Sequence, residues 1–217
     1  MNYADLVIAV SDYCENTFPT VDMNTMIKQA EQRIYNTVQI ANLRKNMVGS
    51  ITAGNPYLSA PEDFLSAYSL AVISGDEYLY LLNKDVNFMR EAYPSTAAAY
   101  RGKPKHYGIF GPQSNAVNEL SFILGPTPDA TYSVELHFYY YPESIVTAGT
   151  TWLGDNFDSA LLNGTMVEAI RYMKGEPDMV KFYQDMYLQS IALLKNLGDG
   201  KQRMDAYRDG QVRTQVQ

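Results

Sequence analysis

The sequence predicts an α+β chain in which terminal helices pack as a helical bundle with an inserted antiparallel β-domain and an extended C-terminal tail. Two patterns predict it. Near both ends apolar residues recur with three-four spacing, the mark of a helix with one buried stripe. In the middle they alternate with period two, the mark of a strand with one buried face. The expected limits are 1–47 and 155–198 for the helical domain, 48–154 for the β-rich insertion and 199–217 for the tail.

Asn2 is placed to cap a helix striped by Tyr3, Leu6, Val7 and Val10. Pro19 and Asp22 punctuate, and a second helix follows with Met23, Met26, Ile27, Ala30, Ile34, Val38 and Ala41 on one side. Towards the other end, Asp158 precedes Leu161, Leu162, Thr165, Met166, Ala169, Ile170 and Met173. Gly175-Glu176-Pro177 interrupts that pattern, and Pro177 suits the first turn of a new helix. The last helix carries Met179, Phe182, Tyr183, Met186, Ser190, Leu193, Leu194 and Leu197, and Gly198 ends it. No helix hides its stripe alone, so these four are expected to pack on one another.

The β-prone runs of the insertion are Ile51-Thr52, Pro56–Ser59, Leu65–Ile73, Tyr78–Leu82 and Tyr107–Phe110, with a helical interruption from Asp85 to about Tyr93. Residues 119–142, ELSFILGPTPDATYSVELHFYYYP, read as a long β-hairpin around Gly125-Pro126-Thr127-Pro128-Asp129. Tyr132, Val134, Leu136, Phe138 and Tyr140 form its buried face. Ser133, Glu135, His137, Tyr139 and Tyr141 form the other, so His137 is expected in a structural or surface role. Residues 199–217, DGKQRMDAYRDGQVRTQVQ, have no apolar stripe. They read as a mobile tail, either frayed or ordering on a partner.

Composition narrows the function. Hydrophobic content of 46% and charged content of 19% are those of a folded domain. A formal net charge of −7 argues against a surface made to grip nucleic acid, which needs Lys and Arg to displace counterions. A single cysteine, Cys14, excludes an intrachain disulfide and a cysteine-rich zinc site. The opening stretch lacks the basic start and apolar core of a secretory signal, and no apolar run reaches the roughly 20 residues of a membrane span. A reducing, aqueous compartment, or release from one by lysis, is the expectation.

The motifs of chemistry do not assemble. Gly198-Asp199-Gly200-Lys201 ends in Gln202 and fails as a phosphate loop. Neither a G-x-S-x-G elbow nor an H-E-x-x-H pair occurs. His106 and His137 are far apart in sequence and have no identifiable carboxylate partners for a metal. Glu62-Asp63, and Glu176 with Asp178, sit at turns and helix starts, where the helix dipole favours carboxylates. No catalytic, metal or cofactor site is expected. The unusual feature is 18 tyrosines against one tryptophan. Tyr139, Tyr140 and Tyr141 cannot share one core, so some face water or another chain.

Several local features also recur, in order, in one known family. Asn55-Pro56-Tyr57-Leu58-Ser59-Ala60-Pro61-Glu62-Asp63-Phe64 resembles its strand-to-turn signature. Gly102-Lys103-Pro104-Lys105-His106-Tyr107 resembles its G-x-P-x-x-Y step into a hairpin. Leu124-Gly125-Pro126-Thr127-Pro128-Asp129-Ala130 joins strands ending in Tyr139-Tyr140-Tyr141-Pro142, and a helical pair with a polar, basic tail follows. Over nearly its whole length the chain resembles the head-to-tail adaptor, or connector, proteins of tailed bacteriophages.

The resemblance implies a mechanical role. Such proteins assemble as a ring, usually a dodecamer, beneath the portal protein, prolong the DNA channel and present a docking surface to a tail tube or nozzle protein. Genomic DNA would pass through the lumen without specific binding, which an acidic chain suits. The place implied is the head–tail junction of the virion, after assembly in the host cytoplasm, with no membrane, cofactor or enzymatic activity. Carried over, Lys201, Arg203, Arg208 and Arg213 of the tail are candidate portal contacts. Tyr139 and Tyr141 are candidates for a subunit or tail interface. Two other readings stay open: a β-module binding a sugar or small ligand on its tyrosines, and a different tail-completion protein.

Overall fold

The computed structural model describes residues 1–38, 40–111 and 120–198. Its elements run α1 (Tyr3–Tyr13), α2 (Thr20–Thr37), β1 (Arg44–Ile51), β2 (Tyr57–Ser59), β3 (Phe64–Ser74), β4 (Glu77–Tyr80) and β5 (Leu82–Asn83). Then come α3 (Val86–Ala92), β6 (His106–Phe110), β7 (Ser121–Gly125) and β8 (Tyr132–Tyr140). Helices α4 (Ile145–Ala148), α5 (Trp152–Asn156), α6 (Asp158–Tyr172) and α7 (Pro177–Asn196) complete the described chain. Its described residues form two compact units: 1–43 with 142–198, and Arg44–Tyr141.

In the helical unit, Asn2 caps α1 as its position suggests. The Asn2 side chain accepts the Asp5 N–H at 2.9 Å, and the Asp5 carboxylate accepts the Asn2 N–H at 3.3 Å. Two otherwise unpaired donors of the first turn are thereby satisfied. Helix α6 is central and packs against α1, α2, α5 and α7. Gly164 lets two of them close in: a Cβ there would lie 3.3 Å from Ala30 Cβ and 3.3 Å from the Tyr187 ring. Leu6, Val10, Met23, Ile27, Ile34, Leu161 and Met166 are buried, each contributing roughly 1.5–3 kcal/mol. Polar ties join the two ends of the sequence inside this unit. Tyr3 N–H donates to Gly149 O at 2.9 Å, Tyr172 OH donates to Asp22 at 2.9 Å, and Arg33 pairs with Glu168.

Helix α7 departs from the expected single stripe. Tyr187, Ser190, Ile191 and Leu194 are buried, on the helix that packs against α6. Met179, Phe182, Met186 and Leu193, read from sequence as part of the same stripe, are between 38% and 61% exposed. At 100° per residue the two sets point about 100° apart. The run is two seams, and only one serves the unit's own core.

The β unit holds two four-stranded sheets, ordered β1-β8-β3-β4 and β2-β7-β6-β5. All pairings are antiparallel except the short parallel one between β5 and β6. Leu70, Val72, Val134, Leu136 and Phe138 of the first sheet meet Tyr107, Phe122 and Leu124 of the second in one core. Phe64 packs edge-on to Phe122 at 5.4 Å and stacks on Phe138 at 5.9 Å.

Three expectations need correction. Residues 121–140 are not a hairpin: β7 pairs with β2 and β6, whereas β8 pairs with β1 and β3. Pro126 and Pro128 have no N–H to carry a ladder through the connection, and the chain crosses there from one sheet to the other. Arg44–Met47, expected with the helices, open an edge strand. Ile145–Gly154, expected with the insertion, lie in the helical unit, where they form α4 and most of α5.

Candidate functional site

The first sheet covers the core with one face and exposes the other. On the exposed face Arg44 and Ser66 flank Tyr139 in register. The Arg44 guanidinium donates to the Tyr139 hydroxyl at 3.0 Å and lies 4.3 Å from the Tyr68 ring centroid and 5.2 Å from that of Tyr139. Tyr68 meets Tyr139 edge-on at 6.3 Å. Tyr139 thus points to the polar side, as alternation predicts, yet is only 5% exposed, while Tyr68 above it is 57% exposed. Tyr141 lies just past β8, half-buried, its N–H donating to Asp63 O at 2.9 Å.

Sequence alternation does not single out Tyr68, because a register shift reverses its side. It shares parity with buried Leu70, but the ladder slips between Ala67 and Ser69, and the inserted residue turns outward. Farther along the same face, Val48, Glu135, Ala71 and Tyr80 form one row across the four strands. Val48, Tyr68, Tyr78 and Tyr80 are all exposed, so the sheet presents an aromatic surface to its surroundings.

His137 lies on this face, its Nδ1 3.3 Å from Ser69 Oγ and its Nε2 3.7 Å from Glu135, which also accepts the Asn46 amide at 2.7 Å. His106 lies elsewhere in the unit, its Nδ1 2.7 Å from the Tyr93 hydroxyl. The two histidines do not share a site. Among the described residues no three His, Cys, Asp or Glu side chains converge as metal ligands would. Burial pushes the Cys14 thiol up from its ordinary value, against the reactive thiolate form. No described helix is long and apolar enough to cross a membrane. Lys201, Arg203, Arg208 and Arg213 lie outside the described residues.

Two surfaces stand out: the aromatic sheet face and the outer seam of α7. Both have the chemistry of protein contact, with Tyr, Arg, Met and Phe prominent. A family model for the SU10 adaptor protein matches residues 1–215. The chain belongs to the SU10 adaptor protein family. This agrees with the resemblance to phage head-to-tail adaptors carried by the order of its motifs. No curated protein matches the chain. As an adaptor it is a bacteriophage structural component that interacts with other virion proteins.

Proposed function

We propose that this adaptor assembles as a ring beneath the portal protein, extends the DNA channel and offers the tail its docking surface. The observation that carries the reading is the outer seam of α7. Met179, Phe182, Met186, Gln189 and Leu193 follow one another at spacings of three and four, the pattern that seats a helix against a neighbouring helix. A seam that differs from the surface it meets makes a head-to-tail contact, and such contacts form a ring where their rotation closes. The net charge of −7 supports a lumen along which DNA slides without being held.

In this reading Tyr139 and Tyr141 belong to the subunit or tail interface through the sheet face they support. Lys201, Arg203, Arg208 and Arg213 contact the portal, and the ring is a dodecamer at the head–tail junction. Electron microscopy of purified adaptor mixed with portal tests this. The expected result is a monomer alone and a defined ring on portal. Removal of residues 199–217 should weaken docking with the far-ultraviolet circular dichroism unchanged. Portal particles that never acquire the ring would overturn the proposal.

A further inference from the structure

Strands β4 and β5 are one extended run whose hydrogen bonds change side. Leu81 N–H donates to Leu70 O at 2.8 Å, towards β3, whereas Leu82 N–H donates to Lys105 O at 3.0 Å and Lys84 N–H to Tyr107 O at 2.8 Å, on the opposite side. Alternation then places the backbone N–H and C=O groups of Tyr78 and Tyr80 on the side of Leu82. The first sheet ends at β4, so no strand among the described residues pairs with them there.

Beside this open half-edge lies a groove of about 580 Å³ between Tyr78, Tyr80 and Leu82 on the strand and Lys103 to His106 opposite, with Glu77 also on its lining. Tyr78, Tyr80 and Leu82 are exposed, as are both lysines. Neither Lys103 nor Lys105 makes an ion pair among the described residues, although the charge of Lys103 helps to lower the pKa of Asp129. In a chain of net charge −7 this is a locally basic wall beside unpaired backbone and apolar side chains.

We propose that the groove receives an extended, acidic segment of a partner protein, which adds to β4 as a further strand. Its backbone would pair with Tyr78 and Tyr80, its apolar side chains would cover the exposed rings, and its carboxylates would meet Lys103 and Lys105. A second copy's edge strand β1 is a poor occupant, because it opens with Arg44-Lys45 and holds no acid. The inference stands on this groove and is independent of ring formation.

The test is fluorescence anisotropy of the full chain with a labelled six-residue peptide alternating valine and glutamate. The same peptide with lysine for glutamate and a labelled single-stranded DNA serve as comparisons. The acidic peptide should bind, and the comparisons should bind more weakly by about tenfold or more. The double variant Lys103→Glu with Lys105→Glu, both exposed, should lose at least that factor while keeping its circular dichroism. Tyr80→Pro removes an N–H that no β3 partner uses, and should weaken binding on a retained fold. No binding of the acidic peptide, equal binding of the lysine peptide or DNA, or undiminished binding by the lysine variant would each overturn the proposal.

Discussion

Glu31 accepts the backbone N–H of Ile145 at 2.8 Å, across 114 positions of sequence. The side chain is 3% exposed, so it joins α2 to the first turn of α4 inside the helical unit and away from water. Burial pushes its pKa up from the ordinary 4.5, while the Ile145 N–H, Ser144 and Lys28 pull less strongly the other way. A packed neutral bundle would need no such acid, and the site holds an acceptor where a helix begins.

That shift gives stability a direction in pH. A folded pKa above the unfolded one means that the native chain holds the proton more tightly. The contribution is fully present below the unfolded value near 4.5 and is lost as pH rises through the folded value. Glu31→Gln keeps an acceptor for Ile145 without a buried charge, so its urea midpoint should fall less than that of the wild type as pH rises. Glu31→Ala leaves the Ile145 N–H unpaired and should cost about 1–3 kcal/mol. Urea unfolding of both variants at several pH values separates the effects, and identical pH profiles for wild type and Glu31→Gln would refute the assignment.

The seams of the molecule predict opposite outcomes for two phenylalanines. Phe122 is fully buried between Phe64 and Tyr107, so Phe122→Ala should lose about 3–5 kcal/mol in urea unfolding. Phe182 is 55% exposed on the outer seam of α7, so Phe182→Ala should stay within about 0.5 kcal/mol of wild type. Its effect should appear instead as fewer complete rings on portal in electron micrographs.

This contrast also marks what was legible in the sequence. Three-four spacing identifies α1, α2, α6 and α7, and Asn2 and Pro177 mark two of their starts, because helix periodicity and capping are local. Whether Met179 and Phe182 face α6 or the outside is not local, since either side rewards an apolar residue. Strand β1 is nearly invisible for the same kind of reason: all but Arg44 and Ile51 of RKNMVGSI are exposed, so no burial alternation exists to be read. Alternation also assigns Phe122 and Phe138 to inward faces without naming the strand beside each, which is why two sheets looked like one hairpin. Alternation assigns Tyr139 to the correct side, but its cover by Arg44 and Tyr68 depends on strands distant in sequence.

The hydroxyl of Tyr139 should matter to the fold through Arg44. Tyr139→Phe keeps the ring against Tyr68 and removes only the acceptor at 3.0 Å from the guanidinium. A loss of about 1 kcal/mol is expected in denaturant unfolding, the usual net worth of one hydrogen bond. Tyr68→Ala should instead uncover Tyr139, detectable as a shift of the tyrosine fluorescence signal towards that of exposed rings.

Gly125 and Tyr93 offer the sharpest packing test in the β unit. Gly125 pairs in register with His106, whose Nδ1 lies 2.7 Å from the Tyr93 hydroxyl, so the three residues meet over the end of β6. A Cβ on Gly125 would lie 2.7 Å from Met89 Cε and closer still to the Tyr93 ring. Gly125→Ala must therefore move the ring, and with it the hydrogen bond to His106. A cost of about 1–3 kcal/mol follows from overpacking of this kind. Tyr93→Ala removes the obstructing ring, so the two substitutions share one contact and should not add. In a double-mutant cycle by urea unfolding, Gly125→Ala should cost much less in the Tyr93→Ala background than in the wild type. Equal costs in both backgrounds would mean that the strain lies in the Met89 contact or the backbone of β7 and not in the ring.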